Sequence, residues 1–140
     1  MAWTSEGNVQ ILNKDEVYGK VAGFDLDHTL IRPKNGKTHP KNKDDLEFCF
    51  SNIKDKFQDI IKEGYSIVIF SNQSSFDNPE KKDIILSRIT SFIEKICLKI
   101  TVLISTEHDF CRKPNTGMWD LLNIQNTKKS FYVGDAAGRI

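Results

Sequence analysis

Two carboxylates stand close together at the end of a short apolar run, in the sequence DLDHT at positions 25–29. Carboxylates this close repel each other and lose hydration beside apolar residues, which is costly unless a cation or an incoming group offsets it. Such a pair is therefore a candidate site for a cation or a phosphate group. The alternative for Asp25 and Asp27 is a solvated turn in which the aspartates only cap the backbone.

Three further polar sites follow later apolar runs. Ser71 and Asn72 offer a hydroxyl and an amide that can donate to phosphate oxygens. Lys113 stands just ahead of a candidate helix start, where a lysine and free N–H groups can hold an anion. Asp135 adds a third acid. Taken singly, each has an ordinary alternative as a turn or surface residue.

The elements that must position these residues are predicted to alternate between strand and helix. Short apolar runs rich in β-branched residues predict four strands, at 20–26, 66–70, 100–104 and 131–133. Strands separated by helices are typical of a parallel sheet that binds its ligand at the carboxyl ends of the strands. The predicted fold class is therefore α/β, a Rossmann-like parallel sheet wound by helices.

Helical spacing of apolar residues predicts the connecting elements. One helix has Ile53, Phe57, Ile60 and Ile61 on its apolar face and ends near Gly64. A long helix begins after Asn78, its predicted N-cap. A short helix is expected around 118–122. Residues 1–18 are interpreted as a polar entry segment of the domain, ahead of the first predicted strand.

Composition narrows the class of protein. The chain has 140 residues, of which 39% are hydrophobic, as expected for one domain with a single core. Its 20 Lys and Arg against 19 Asp and Glu leave a net charge of +1, which does not indicate any class of binding partner. The first ten residues lack the basic and then apolar run of a secretory signal, and no apolar stretch reaches the length of about 18 residues needed to cross a bilayer. An intracellular location, nuclear or cytoplasmic and away from membranes, is therefore expected.

The cysteines are odd in number and lack metal-ligand spacing, which favours reduced, structural thiols at Cys49, Cys97 and Cys111. The alternative is an activated thiol at Cys111, which precedes Arg112 and Lys113.

Four segments, FDLDHTL, IFSN, RKPNTGMW and VGDAAGR, resemble in this order the four motifs of the haloacid dehalogenase superfamily of phosphohydrolases. Within that superfamily, the sequence resembles the DNA 3′-phosphatase domain of the polynucleotide kinase 3′-phosphatases. Three segments carry this resemblance: KVAGFDLDHTLIRPKNGK, RKPNTGMW and VGDAAGR. The resemblance runs from about Gly19 to Arg139 and implies one phosphatase domain over residues 1–140 with a haloacid dehalogenase-like fold. The connections after Leu30 and Ser71 are short, so no large cap domain is expected.

The resemblance implies a role for each motif residue. Asp25 is the nucleophile that becomes an aspartyl phosphate, and Asp27 protonates the leaving sugar oxygen and then activates water. Ser71, with Asn72, holds the transferring phosphoryl group, and Lys113 neutralises charge on its oxygens.

The resemblance also implies a Mg²⁺ site formed by the side chains of Asp25 and Asp135 and the backbone carbonyl of Asp27.

Two features depart from the family pattern. His28 stands where the superfamily often has glycine, and it is interpreted as a tolerated variant, with Thr29 steadying the loop. The family's GDAAGR motif is followed by a further segment, whereas this sequence stops at position 140, so the C-terminal part of the family domain is expected to be absent.

A basic segment follows the first predicted strand. Between positions 32 and 43 it has a local charge of +5 and no acid, from Arg32, Lys34, Lys37, Lys41 and Lys43. Such a segment beside a phosphatase site suits a nucleic-acid strand end, and the alternative is a solvated loop. Contacts with nucleic acid are predicted for Arg32, Lys34, Lys37, Lys41 and Arg112. The stretch Gly36-Lys37-Thr38 has Ile31 where a P-loop needs glycine, so no ATP site is expected.

Together, the residues and the resemblance predict a Mg²⁺-dependent polynucleotide 3′-phosphatase that acts on DNA 3′ ends in DNA repair. Two alternatives stay open. One is a phosphatase of the same superfamily that acts on another phosphomonoester, and the other is a truncated, non-catalytic domain that binds phosphorylated nucleic-acid ends. The sequence makes no prediction about the oligomeric state.

Overall fold

The computed structural model of the protein describes residues 3–13, 17, 19–34, 42, 44–73, 78–106, 118, 122 and 130–133. The strands in this part of the chain are β1 (Trp3–Glu6), β2 (Val9–Leu12), β3 (Lys20–Asp25), β4 (Ile31–Arg32), β5 (Glu47–Phe48), β6 (Tyr65–Asn72), β7 (Ile100–Ser105) and β8 (Phe131–Val133). The helices are α1 (Ile53–Lys62) and α2 (Pro79–Ile96).

Six strands form one sheet in the order β1-β2-β7-β6-β3-β8. The four strands predicted from the sequence, β7, β6, β3 and β8, pair in parallel. Helix α1 connects β3 to β6 and α2 connects β6 to β7. The α/β class is therefore confirmed, while the Rossmann-like winding stays a prediction because most of the β7–β8 connection lies outside the described residues.

The interpretation of residues 1–18 as a polar entry segment ahead of the first strand is wrong for residues 3–12. Strands β1 and β2 form an antiparallel hairpin, and β2 continues the sheet by pairing antiparallel with β7. In β2, Val9, Ile11 and Leu12 are buried, whereas residues 4–6 of β1 are exposed. Each strand has only four residues, and three of the four in β1 are polar, so the local sequence signal is weak and the pairing with β7 is what places the hairpin in the sheet.

The sheet buries apolar residues on both faces, as expected for parallel strands. One core cluster contains Phe24 and Ile69 of the sheet with Phe57 of α1 and Phe92 of α2, so both helices pack on the same face. The cluster on the other face contains Val9, Ile11, Val21, Val68, Phe70, Leu103, Met118 and Leu122. The helix predicted around 118–122 lies otherwise outside the described residues.

Close packing of β3 between β6 and β8 accounts for its glycine, Gly23. A Cβ atom at this position would lie 2.9 Å from the ring of Phe70 and 3.2 Å from that of Tyr132. Forcing a methyl group into such a contact costs roughly 1–3 kcal/mol. Gly23 therefore allows β3 to sit beneath the aromatic side chains of both neighbouring strands.

Both predicted helix boundaries agree with the structure. The Asn78 side chain accepts hydrogen bonds from the N–H groups of Glu80 and Lys81, as an N-cap should. After α1, Gly64 has a φ of 92°, a left-handed value that glycine adopts freely. In the described part of the chain, neither helix combines the length and the apolar content needed to cross a bilayer.

A small two-stranded sheet lies between β3 and α1. Ile31 and Arg32 of β4 pair antiparallel with Phe48 and Glu47 of β5. The two strands enclose the segment that carries the predicted basic residues. This segment is therefore fixed at both ends beside the carboxyl end of β3.

Candidate active site

Asp25 and Asp27 lie at the carboxyl end of β3, between β6 and β8 in the sheet. Asp25 is the last residue of β3 and pairs in register with Phe70 of β6. Asp27 comes two residues later, beyond the buried Leu26, and forms a β-bridge with Ile31. Both aspartates are half-buried. The two acids therefore stand at the sheet edge where a ligand of a parallel sheet is expected.

A tight turn holds the loop that carries these acids. The N–H groups of Leu30 and Ile31 donate to the carbonyl of Leu26 over 2.9 Å and 3.2 Å, and the N–H of His28 donates to Ile31 over 2.8 Å. His28 has a φ of 63° and an exposed side chain. Few non-glycine residues adopt this left-handed conformation, although histidine does so more often than most. This conformation explains why glycine suits the position and why histidine is tolerated there.

Thr29 contacts the first acid directly. Its hydroxyl Oγ1 lies 3.4 Å from Oδ2 of Asp25 and donates a hydrogen bond to it. The distance is long for an O–H···O bond, so the contact orients the carboxylate only weakly. This geometry agrees with the expectation that Thr29 steadies the loop.

Ser71 and Asn72 end the neighbouring strand. They are the last two residues of β6, which extends two residues beyond the predicted strand end at 70. Ser71 is 2% exposed, and Asn72 pairs in register with Ser105 of β7. Their backbones are therefore held by the sheet and not by a loop.

Gln73 connects Ser71 to the second acid. Its side-chain nitrogen Nε2 donates to Oδ2 of Asp27 over 2.8 Å and to Oγ of Ser71 over 2.9 Å. Its backbone N–H donates to the carbonyl of Ser105 over 2.8 Å, which fixes the position of the residue. Gln73 is not among the residues predicted from the sequence, although it stands two residues after Ser71 and so shares its side of an extended chain.

Arg88 of α2 reaches the same acid from below the sheet edge. Its Nη1 lies 3.5 Å from Oδ1 of Asp27, and its Nε donates to the backbone carbonyl of Asp45 over 3.2 Å. The residue is 3% exposed. Arg88 is also absent from the residues predicted from the sequence, although an arginine within the apolar stripe that includes Ile85, Ile89 and Phe92 is a signal for a buried, paired charge.

Two kinds of similarity to known proteins bear on this arrangement. Residues 20–140 match the family described as polynucleotide kinase 3 phosphatase. The chain belongs to this family. The match covers both acids, the end of β6 and the two later motifs.

Three relatives illustrate the family. The chain is 38% identical over 128 residues to an uncharacterised 20.8 kDa protein of Autographa californica nuclear polyhedrosis virus, covering 86% of this chain and 68% of the viral protein. It is 33% identical to a polynucleotide 3′-phosphatase of Arabidopsis thaliana over 98% of this chain and 23% of that protein. It is 34% identical to a bifunctional polynucleotide phosphatase/kinase of Schizosaccharomyces pombe over 86% of this chain and 31% of that protein. The chain thus spans about a quarter to a third of the last two relatives.

Some family motif residues lie outside the described part of the chain. These are Lys113, Asp135 and, beside the first of them, Arg112. Within the described residues, no three His, Cys, Asp or Glu side chains come together as a metal-binding group. The two described candidates, Asp25 and Asp27, nevertheless supply carboxylate and carbonyl oxygens, the donors that Mg²⁺ prefers. The Mg²⁺ site with Asp135 stays a prediction.

The predicted nucleic-acid contacts divide into two groups. Arg32 and Lys34 are exposed, but Nε of Arg32 is ion-paired with Oε1 of Glu47 over 2.8 Å. The backbone N–H of Lys34 donates to Oδ1 of Asp45 over 2.7 Å, and the lysine side chain is exposed. The second group, Lys37 and Lys41, lies outside the described residues. The charge of Arg32 is thus partly neutralised by an acid just beyond the basic segment.

The thiol of Cys49 is unsuited to nucleophilic chemistry. Burial raises the pKa of the Cys49 thiol; Arg32 opposes this shift to a smaller extent, and the negative charges of Glu47 and Asp27 add to it. A thiol with a raised pKa stays protonated near neutral pH and reacts slowly. This agrees with a structural role for Cys49, whereas Cys111 lies outside the described residues.

Proposed function

We propose that this chain is a Mg²⁺-dependent phosphatase that removes 3′-phosphate groups from DNA ends through an aspartyl-phosphate intermediate. The observation that carries the proposal is the hydrogen-bonded link from Asp27 through Gln73 to Ser71, beside Asp25 at the end of β3. A carboxyl group, a hydroxyl group and a second carboxylate at one sheet edge are the groups that phosphoryl transfer to an aspartate requires. Membership of the polynucleotide kinase 3 phosphatase family supports the same reaction.

In the first step, a carboxylate oxygen of Asp25 attacks phosphorus, and the bond from phosphorus to the 3′-oxygen breaks. Asp27 in its protonated form gives its proton to the departing oxygen, which leaves as a hydroxyl group. The uncatalysed reaction is among the slowest known, and a covalent intermediate divides it into two easier steps.

In the second step, water attacks phosphorus while the Asp27 carboxylate accepts its proton. The bond from phosphorus to Asp25 breaks, phosphate leaves, and both acids return to their starting protonation states. Ser71 is suited to donate to a phosphoryl oxygen, and Lys113 to balance negative charge. Positioning and charge stabilisation by the protein then account for most of the rate.

The side chains of Asp25 and Asp135 and the carbonyl of Asp27 would hold Mg²⁺. When bound, the ion would screen the negative charges of Asp25 and of the phosphate from each other.

The basic segment supports a nucleic-acid substrate. It begins at β4, directly after the loop that carries the acids, and the exposed Lys34 lies on it. The names of the relatives from Arabidopsis and Schizosaccharomyces describe polynucleotide phosphatases. Removal of a 3′-phosphate restores the 3′-hydroxyl that strand extension and joining need, so we propose a role in DNA repair inside the cell.

The test compares phosphate release from three substrates by the purified 140-residue chain. These are a 3′-phosphorylated DNA oligonucleotide, the same oligonucleotide phosphorylated at its 5′ end, and a small monoester. We expect the 3′-phosphorylated oligonucleotide to give the highest kcat/KM. Equal or better hydrolysis of the small monoester would favour a phosphatase with another substrate, and binding without turnover would favour a non-catalytic end-binding domain.

A further inference from the structure

Arg88 is a buried charged residue on an otherwise apolar face of α2. Its side chain is 4% exposed, and Ile89, Phe92 and Ile96 on the same face belong to the core cluster beneath the sheet. A buried guanidinium group is costly unless its charge and its N–H groups find partners. An apolar side chain at this position would pack on the core without that cost, so the residue calls for a functional explanation.

The contacts of Arg88 point to Asp27. Its Nη1 lies 3.5 Å from Oδ1 of Asp27, and its Nε donates to the backbone carbonyl of Asp45 over 3.2 Å. Nη2 is fully buried and has no hydrogen-bond partner among the residues that the structure describes. The guanidinium group is therefore anchored on one side by the backbone and directed on the other at the acid.

Gln73 and Arg88 approach different oxygens of the same carboxyl group. Gln73 donates to Oδ2, and Arg88 faces Oδ1. One contact leaves a carboxyl group free to rotate about its terminal bond, whereas contacts at both oxygens fix its plane. Each oxygen has two lone-pair sites, so both contacts leave room for a proton or for an approaching substrate oxygen.

We propose that Arg88 is a positioning residue that holds the carboxyl group of Asp27 in the orientation required for proton transfer to the leaving oxygen. This inference rests on the proposed function, in which Asp27 acts as acid and then as base. Arg88 acts through Asp27 and does not itself need to touch the phosphate.

The anchoring side of Arg88 adds a connection to the basic segment. Oδ1 of Asp45 accepts the backbone N–H of Lys34, while the carbonyl of Asp45 accepts the Nε of Arg88. Asp45 therefore joins the start of the basic segment to the guanidinium group. The competing explanation is that Arg88 only anchors the backbone at Asp45. It predicts that replacing Arg88 lowers kcat/KM by an amount that does not depend on the leaving group.

The experiment exploits the fact that proton donation matters more for a poor leaving group than for a good one. The protein is assayed on a 3′-phosphorylated oligonucleotide and on glycerol 2-phosphate, which release alcohols, and on p-nitrophenyl phosphate, which releases a stable phenolate. The quantity compared is kcat/KM, which covers the steps up to formation of the phosphoenzyme. The variants are Arg88→Met, Arg88→Lys and Asp27→Asn, with Lys95→Met as a control because Lys95 is an exposed cation on the same helix.

We expect Arg88→Met to lower kcat/KM by about 10²-fold for the two alkyl substrates and by less than about threefold for p-nitrophenyl phosphate. Asp27→Asn should show the same selectivity with a larger loss, and Arg88→Lys should recover about tenfold of the Arg88→Met loss. Lys95→Met should leave all three values unchanged. Thermal unfolding of each variant checks that the fold is retained, and Arg88→Lys provides the comparison if Arg88→Met does not fold.

Equal losses on all three substrates in Arg88→Met or Arg88→Lys, with selectivity retained by Asp27→Asn, would overturn the inference and leave Arg88 as a structural anchor. Absence of selectivity in Asp27→Asn would remove the acid role of Asp27 and the inference with it. Failure of the unmodified chain to cleave the oligonucleotide while it cleaves glycerol 2-phosphate would instead reject the proposed substrate, and glycerol 2-phosphate would still test Arg88.

Discussion

The side-chain amide of Gln73 donates to Oδ2 of Asp27 over 2.8 Å, although 46 positions separate the two residues in the chain. The same nitrogen donates to Oγ of Ser71 over 2.9 Å. A primary amide nitrogen has two N–H donors, so both bonds form at once. The end of β6 therefore sets the position of an acid that the loop after β3 carries.

Replacement of Gln73 should impair turnover more than substrate binding. Gln73→Met removes both hydrogen bonds at similar volume, and we expect kcat to fall by about 10- to 10²-fold with little change in KM. Gln73→Glu should be worse because it brings a second negative charge to Asp27. Steady-state kinetics measure both effects, and Gln58→Met, on the exposed face of α1, is the matched control. A Gln73→Met enzyme with normal kcat would show that the link is dispensable.

Asp25→Asn should abolish turnover and leave the fold intact. The amide is nearly isosteric with the acid but cannot form the acyl phosphate, so no phosphorylated protein should accumulate. Phosphate release and rapid-quench trapping of phosphoenzyme measure the two effects, and Asp83→Asn on the exposed part of α2 controls for loss of a charge. More than a few per cent of residual activity in Asp25→Asn would remove this residue from the nucleophile role.

Activity should require Mg²⁺ and be blocked by Ca²⁺. The larger ion takes more ligands at longer distances and would misalign Asp25 with phosphorus. Because Mg²⁺ would bind only the folded site, it should also raise Tm, by an amount that corresponds to about 2.7 kcal/mol at 100 times its Kd. Calorimetry with and without chelator measures this, and Asp135→Asn should lose the shift. Full activity in chelator would contradict the assignment of Asp135.

Lysines of the basic segment should determine how activity on oligonucleotides depends on salt. Replacing Lys34, Lys37 and Lys41 with Ala should raise KM for a 3′-phosphorylated oligonucleotide and leave hydrolysis of a small monoester almost unchanged. The slope of log KM against log salt should fall by about 2, at about 0.7 for each contact with single-stranded DNA. Arg32 is left in place because it is already paired with Glu47.

The matched control for this triple variant replaces three exposed lysines of α1, Lys54, Lys56 and Lys62, with Ala. It changes the net charge equally but at a different surface. Identical salt dependence in the two triple variants would show that the basic segment is merely solvated.

Local patterns in the sequence were enough to determine much of the framework. The strands β3, β6, β7 and β8 follow from short apolar runs, and α2 begins at Asn78 because the cap is a contact between near neighbours. The placing of Asp25 and Ser71 at one sheet edge also followed, since parallel strands joined by helices bring their carboxyl ends together.

Contacts between residues far apart in the chain were decided only by the tertiary structure. Val9 of β2 pairs with Ser105 of β7, so a hairpin of two four-residue strands near the start of the sequence becomes part of the sheet. Arg88 belongs by its spacing to an apolar stripe, yet its guanidinium group meets Asp27 from a distant helix. The physical reason is common to both cases. Periodicity reports which face of an element is buried, whereas the partner of a buried polar group depends on how separate elements pack together.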